Sequence, residues 1–198
     1  MNHKDRISIF VITDFPNKAC AIIHLLGLLK YLAREYLVEL TCFFLDNKHT
    51  DVDLNYLENR WRLADIVILQ RGISLEEMFL IHEMMDKCRK VFVFEIDNNL
   101  MKIPKTHPGF FVILSYKEII QAIISKSDAI TTTTPILAEY LKQLNPSVYV
   151  LPNLIDPELF LLSENSKKDK SDRIILGFSG TSHIYLIFIL LCQRSRAF

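Results

Sequence analysis

Two carboxylates one residue apart, Glu95 and Asp97, close the apolar run Val91-Phe92-Val93-Phe94 and are followed by Asn98, Asn99 and, further on, His107. Paired carboxylates at a strand end can hold a divalent cation against a diphosphate. An imidazole in a loop can donate a hydrogen bond or carry a proton near neutral pH. Arg71 leaves the buried run Val67-Ile68-Leu69-Gln70, placing a guanidinium where it could fork onto phosphate or carboxylate or pair with Glu95 or Asp97. Asp14 follows the first apolar run, and Thr133-Thr134 follow a later one; Asp14 and Thr134 suit ligand contact and helix capping equally well. Near the end, Gly177-Phe178-Ser179-Gly180-Thr181 follows another apolar run. Glycines there let backbone N–H groups approach a phosphate, and a following helix N-terminus would add favourable partial charge.

Short Val-, Ile- and Phe-rich runs recur at Ile7 to Ile12, Val38 to Leu45, Ile66 to Leu69, Val91 to Phe94, Ala129 to Thr132 and Val148 to Leu151. Near-continuous apolarity over such lengths predicts parallel strands covered on both faces. Helical spacing occupies Ala21 to Tyr36, Leu75 to Cys88, Tyr116 to Ser125 and Pro135 to Leu144. Thr134 is placed to cap the last of these, Pro135 to open it and Asn145-Pro146 to close it. Alternation of strand and helix predicts an α/β fold: a Rossmann-like, doubly wound, mostly parallel sheet with right-handed crossovers. Its ligand crevice lies beyond the carboxyl ends of the strands, where the residues named above fall.

The chain has 198 residues, half of them hydrophobic, with 23 basic residues against 23 acidic. Disorder is excluded by that hydrophobicity and balance, and the length fits one well-buried domain plus a fragment. Zero net charge without a dense Lys/Arg stripe argues against a nucleic-acid partner. Cys20, Cys42, Cys88 and Cys192 are widely spaced, without CxxC or paired histidines, which predicts buried reduced thiols and no metal. Met1 to Arg6 is polar, and the apolar tail Ile184 to Cys192 is far shorter than the roughly 20 residues of a membrane span. The expected location is therefore cytoplasmic. GxSxG, GxxxxGK[ST] and GxGxxG motifs are absent. Packing on helix faces accounts for His24, His82, Met84 and Met85.

Taken together, Val91 to Leu100, Ser127-Asp128-Ala129-Ile130-Thr131-Thr132, Val148 to Asp156 and Gly177 to Thr181 resemble, in order and spacing, the GT-B glycosyltransferases of family 4, the group 1 glycosyl transferases. The resemblance covers most of residues 60 to 183. It implies an amino-terminal, acceptor-side Rossmann-like domain at 1–156, a linker at 157–172 containing Lys167-Lys168-Asp169-Lys170, and a stub of the donor domain at 173–198. It implies transfer of a sugar from a nucleotide-sugar to a glycan or lipid-linked acceptor, with no metal or resident cofactor. By position, Asp97 and His107 would be catalytic and Asp14, Arg71 and Asn98 would meet the acceptor. Asn153 and Asp156 would form the hinge, and Gly177, Ser179, Gly180 and Thr181 would approach the donor diphosphate.

The chain departs from that pattern in three places. Asp14-Phe15-Pro16-Asn17-Lys18 replaces the glycine-rich loop after the first strand, Asp97-Asn98 replaces an Asp-Asp pair, and the two-glutamate donor motif has no counterpart. The expectation is weak or absent nucleotide-sugar binding and no turnover by this chain alone, since the lost anchors would supply positioning worth several kcal/mol. After His183 the family pattern gives way to Tyr185-Leu186-Ile187-Phe188-Ile189-Leu190-Leu191, the abrupt change a frameshift produces; a terminal element covering the sheet edge is the alternative. The associations expected are an acceptor, a peripheral contact at the inner face of the membrane, and a partner chain supplying the donor half. Two other readings compete: a non-catalytic acceptor- or partner-binding module, and a metal-dependent GT-A transferase using Glu95 and Asp97.

Overall fold

The computed structural model describes residues 6–13, 25–44, 54–70, 75–107 and 109–153. The chain divides into two units, 1–160 and 161–198, and every described residue belongs to the first. Six strands alternate with five helices among these residues: β1 (Ile7–Thr13), α1 (Gly27–Glu35), β2 (Val38–Phe44), α2 (Leu54–Leu63), β3 (Ile66–Gln70), α3 (Leu75–Cys88), β4 (Val91–Glu95), α4 (Phe110–Lys126), β5 (Ala129–Thr132), α5 (Pro135–Leu141) and β6 (Val148–Val150). All pairings are parallel and the sheet order is β2-β1-β3-β4-β5-β6. This is the expected Rossmann-like fold, with the strand order reversing at β1.

The expected strands are all present. Two helices differ. Helix α2 went unpredicted because only Leu57 and Trp61 turn inward, too few to set a period. Helix α4 starts at Phe110 rather than near Tyr116, because Phe110 to Leu114 is uniformly apolar and Gly109 supplies no side-chain cap.

Alternation along each strand splits the core in two. On one face Phe10, Ile12, Val67, Leu69, Phe92, Phe94 and Ile130 pack against Leu57 and Trp61 of α2, Met78, Ile81 and Met84 of α3, Ile119, Ile120, Ile123 and Ile124 of α4, and Leu137 and Leu141 of α5. Trp61 stacks on Phe92 with ring centroids 5.5 Å apart. On the other face Ile9, Val11 and Ile68 meet Leu25 and Leu29. Cys42 and Cys88 are free thiols, and burial pushes the Cys42 thiol up.

Strand starts are fixed by one device used twice. Asp65 donates its N–H to Ser8 O at 2.9 Å and accepts the Ser8 N–H on Oδ2 at 2.8 Å. Asp128 does the same with Phe92, at 3.0 and 2.7 Å. Each aspartate closes the end of a ladder where a strand N–H would otherwise lack a partner.

Asn145 closes the other side. Its Nδ2 donates to Ile124 O at 2.8 Å and Ser127 O at 2.7 Å, and its Oδ1 accepts from Ser147 N at 2.8 Å. The last turn of α4, the entry to β5 and the entry to β6 are thereby joined through one buried amide.

Candidate functional site

At the carboxyl edge the strand alternation brings polar residues into one row. Register sets Gln70 opposite Glu95 and Glu95 opposite Thr131, and the Thr13 hydroxyl donates to Gln70 Oε1 across β1 and β3. Thr13, Gln70 and Glu95 lie on the same face as Ile9, Ile68 and Val93, and are at most 3% exposed. Burying such groups is costly unless they are hydrogen-bonded. The Thr13 bond uses the amide oxygen of Gln70, so the Gln70 NH2 group is the remaining donor of that side chain. Thr132 points to the opposite face; its hydroxyl is buried and makes no hydrogen bond among the described residues. Thr13 and Gln70 directly precede Asp14 and Arg71, and Glu95 precedes Asp97 by two, so this row underlies the exits of β1, β3 and β4.

Glu95 is therefore the last residue of β4 and part of the packed sheet edge, whereas the sequence placed it in the loop beyond. Asp97 is half-buried and Asn98 exposed. The chain then folds tightly: Leu100 N donates to Asn98 O, Met101 N to Asn99 Oδ1 and Lys102 N to Asn99 O. The Lys102 ammonium sits 4.6 Å from the Tyr140 ring centroid, tying this loop to α5. His107 N donates to Pro104 O, and Phe110 N to His107 O.

His107 is exposed and stands just ahead of α4. Its Nδ1 accepts the Gly109 N–H at 3.0 Å. In the neutral ring the hydrogen-bond network thus leaves the proton on Nε2, so the imidazole offers an N–H donor there. A Cβ on Gly109 would lie 3.3 Å from His107 Nδ1 and 3.4 Å from Cε1, closer than such atoms normally come. Glycine at this position lets the ring lie against the backbone.

Thr134 caps α5, its hydroxyl accepting the Leu137 N–H at 3.3 Å, and Pro135 occupies the first turn. Leu151 N donates to Thr132 O, and Pro152, lacking an N–H, ends that ladder. Asn153 is exposed just beyond. Asp14, Arg71, Asp156, Gly177, Ser179, Gly180 and Thr181 lie outside the described residues, as do the linker and the apolar tail. Of the expected residues, Asp97 and Asn98 lie in the loop after β4 and His107 lies just ahead of α4. Sequence reasoning passed over Thr13 and Gln70, whose signal is a polar residue closing an apolar run. Among the described residues no three His, Cys, Asp or Glu side chains converge as a metal site. No helix among them is long and apolar enough to cross a membrane.

No protein-family model matches the chain, and no curated protein matches it in sequence. Among solved structures it is similar to an alpha-glucosyltransferase in complex with UDP-glucose and DNA containing an abasic site, with TM-score 0.51 and 12% identity, covering 76% of this chain and 43% of that one. It is also similar to a phosphomethylpyrimidine kinase from Clostridium difficile 630, with TM-score 0.45 and 14% identity over 73% of this chain and 74% of that one. A short-chain dehydrogenase/reductase from Veillonella parvula DSM 2008 has TM-score 0.45 and 12% identity over 65% and 69%. What is shared with the glucosyltransferase at this identity is the fold, and the chain spans less than half of that protein's length.

Proposed function

We propose that residues 1–156 form the acceptor-side domain of a GT-B-type, family 4-like glycosyltransferase. The single observation that carries this reading is the fold likeness to the alpha-glucosyltransferase; Asp97 and Asn98 follow β4, and His107 precedes α4, on the carboxyl side of the sheet. In the reaction an acceptor hydroxyl oxygen forms a bond to the anomeric carbon of the donor sugar. The bond from that carbon to the nucleotide diphosphate breaks, and the hydroxyl proton must leave. The Asp97 carboxylate is the acceptor for that proton. His107, with its proton on Nε2, hydrogen-bonds a sugar oxygen, and Asn98 orients the acceptor. Asp14 and Arg71 extend the acceptor contacts, and Asn153 and Asp156 form the hinge. Gly177, Ser179, Gly180 and Thr181 begin a diphosphate-binding loop, and no resident metal is required.

The test is backbone-amide NMR of the full chain titrated with a disaccharide, an alkyl glucoside and UDP-glucose. Saccharide-dependent shifts at Asp97, Asn98 and His107, with no nucleotide release from UDP-glucose, are expected. Tight UDP-glucose binding at those residues, or metal-dependent nucleotide binding there, would overturn the acceptor-side assignment. Silence towards both saccharides at saturating concentration would do the same.

A further inference from the structure

We propose that β2 is the docking edge for a second copy of this chain, the two β2 strands pairing antiparallel about a twofold axis at Leu40. Strand β2 lies at one end of the sheet and, among the described residues, pairs with β1 alone. Ile7 stands opposite Val38, and its N–H donates to Leu37 O at 3.0 Å, which phases the ladder. Glu39, Thr41 and Phe43 therefore turn their backbone groups to β1, whereas Leu40 and Cys42 turn theirs outward. The Val38 carbonyl also faces outward, while its N–H is taken by Tyr36 O at 2.8 Å. Such a row of donors and acceptors is a template for another strand unless shortness, lysine or proline blunts the edge. Strand β6, at the opposite end, is blunted: it is 3 residues long, and Pro152 follows it closely. Strand β2 is 7 residues long, Val-Glu-Leu-Thr-Cys-Phe-Phe, without Gly, Pro or Lys. From Val38 to Phe43 its side chains are half-buried, except for the exposed Glu39.

Side-chain chemistry selects both the occupant and the register. Glu39 is the single charged residue of β2, and Arg6, just ahead of β1, pairs with it at 3.4 Å. In a pairing centred on Leu40, each Glu39 faces Thr41 of the second copy, whose hydroxyl can donate to the carboxylate. Val38 then faces Cys42, and the two Leu40 side chains face each other, apolar on apolar. Centring on Glu39 would oppose two carboxylates, and centring on Thr41 or Cys42 would set Glu39 against an apolar side chain, Phe43 or Leu45. Continued outward, the Leu40 register brings Phe43 beside Leu37 of the second copy. Leu37 is 70% exposed and the neighbouring Tyr36 66%, so the pairing covers apolar surface that the single chain leaves in water. The strand thus complements itself in hydrogen bonds, charge and apolar area, as a twofold contact requires of one patch. Two six-stranded sheets become one. Because the paired strands run in opposite directions, the two carboxyl edges open at opposite ends and neither faces the contact.

The experiment is sedimentation equilibrium of the full chain under reducing conditions. A dimer is expected. Thr41→Glu should weaken it about fivefold or more, because carboxylates then oppose each other twice across the axis, whereas Thr41→Lys should leave it as strong or stronger. Amide hydrogen exchange reads the same contact without any substitution: the Leu40 and Cys42 N–H groups should slow as concentration rises through the dimer transition. Oxidation of Leu40→Cys is expected to link two copies at that position, since directly opposed residues that exchange backbone bonds stand about 5.5 Å apart at Cα, within disulfide reach. The register leaves the native Cys42 opposite Val38 and unlinked, which peptide mapping by mass spectrometry checks. A chain that stays monomeric at every concentration up to about 1 mM would overturn the proposal and leave the edge to a strand of another protein. So would a folded Thr41→Glu variant that dimerises as tightly as the native chain, unchanged exchange at Leu40 and Cys42, or linkage of the native chain through Cys42. Association is read without any sugar, so its failure is separate from that of the proposed transferase reading.

Discussion

Replacing Asn145 by Ala removes the buried amide that joins α4, β5 and β6. Three hydrogen bonds of 2.7–2.8 Å are lost, to Ile124 O, Ser127 O and from Ser147 N. A hydrogen bond contributes about 1 kcal/mol net, and a buried group left without a partner costs roughly 1–3 kcal/mol. Ile124 O keeps a long bond from Ser127 N at 3.4 Å, which softens the loss at that carbonyl. The expected destabilisation is therefore about 3 kcal/mol, which for a chain of this size lowers Tm by roughly 6–12 °C. Urea unfolding of the full chain, followed by the fluorescence of Trp61, measures it, since this single tryptophan is wholly buried against Phe92. Asn145→Asp keeps the acceptor for Ser147 N but loses both donors and sets a charge beside two carbonyls, so it should be at least as damaging. Gln143→Ala, at an exposed neighbouring position, should change little. A loss below about 1 kcal/mol for Asn145→Ala would refute the argument that this amide holds the edge together.

Four further outcomes are expected. Thr13→Val and Gln70→Leu should each cost roughly 1–3 kcal/mol in urea unfolding, and the double variant less than their sum, because the two side chains share a bond; strict additivity would show that the bond contributes nothing. Gly109→Ala should displace the imidazole of His107, read as loss of the Nε2–H tautomer signature in nitrogen-15 NMR of the ring, with stability changed by about 1 kcal/mol or less. Arg89, at φ 31°, holds a left-handed conformation directly after α3, so Arg89→Gly should be neutral or stabilising by up to about 1 kcal/mol in a thermal melt. Hydrogen bonding to Lys126 holds the Asp86 carboxyl below its ordinary value, and Arg62 does the same for Glu58. Carboxyls held low in the folded state stabilise it above their unfolded value. That contribution is lost as pH falls through the folded value, so the urea midpoint should drop below about pH 4 and Asp86→Asn should flatten the drop. Both pairs are exposed, and added salt should shrink the effect.

The alternation of six apolar runs with helical segments was enough to determine the fold class, because strands buried on both faces need continuous apolarity and parallel pairing needs a crossover. The order of the runs also nominated the carboxyl edge, and local chemistry fixed the Thr134 cap and the Pro135 start. Helix α2 was illegible because two inward residues carry no measurable period. The early start of α4 was illegible because a run in which every residue is apolar does not say which face is inward.

Only the tertiary structure decided which polar residues meet. Thr13 and Gln70 stand far apart in sequence yet share a hydrogen bond, since register across neighbouring strands, and not spacing along the chain, brings side chains together. The same holds for Asn145, a helix terminator in the sequence and a three-way joint in the fold. His107 needed both levels: the residue type permits proton transfer or donation, and the Gly109 N–H selects the nitrogen that keeps the proton.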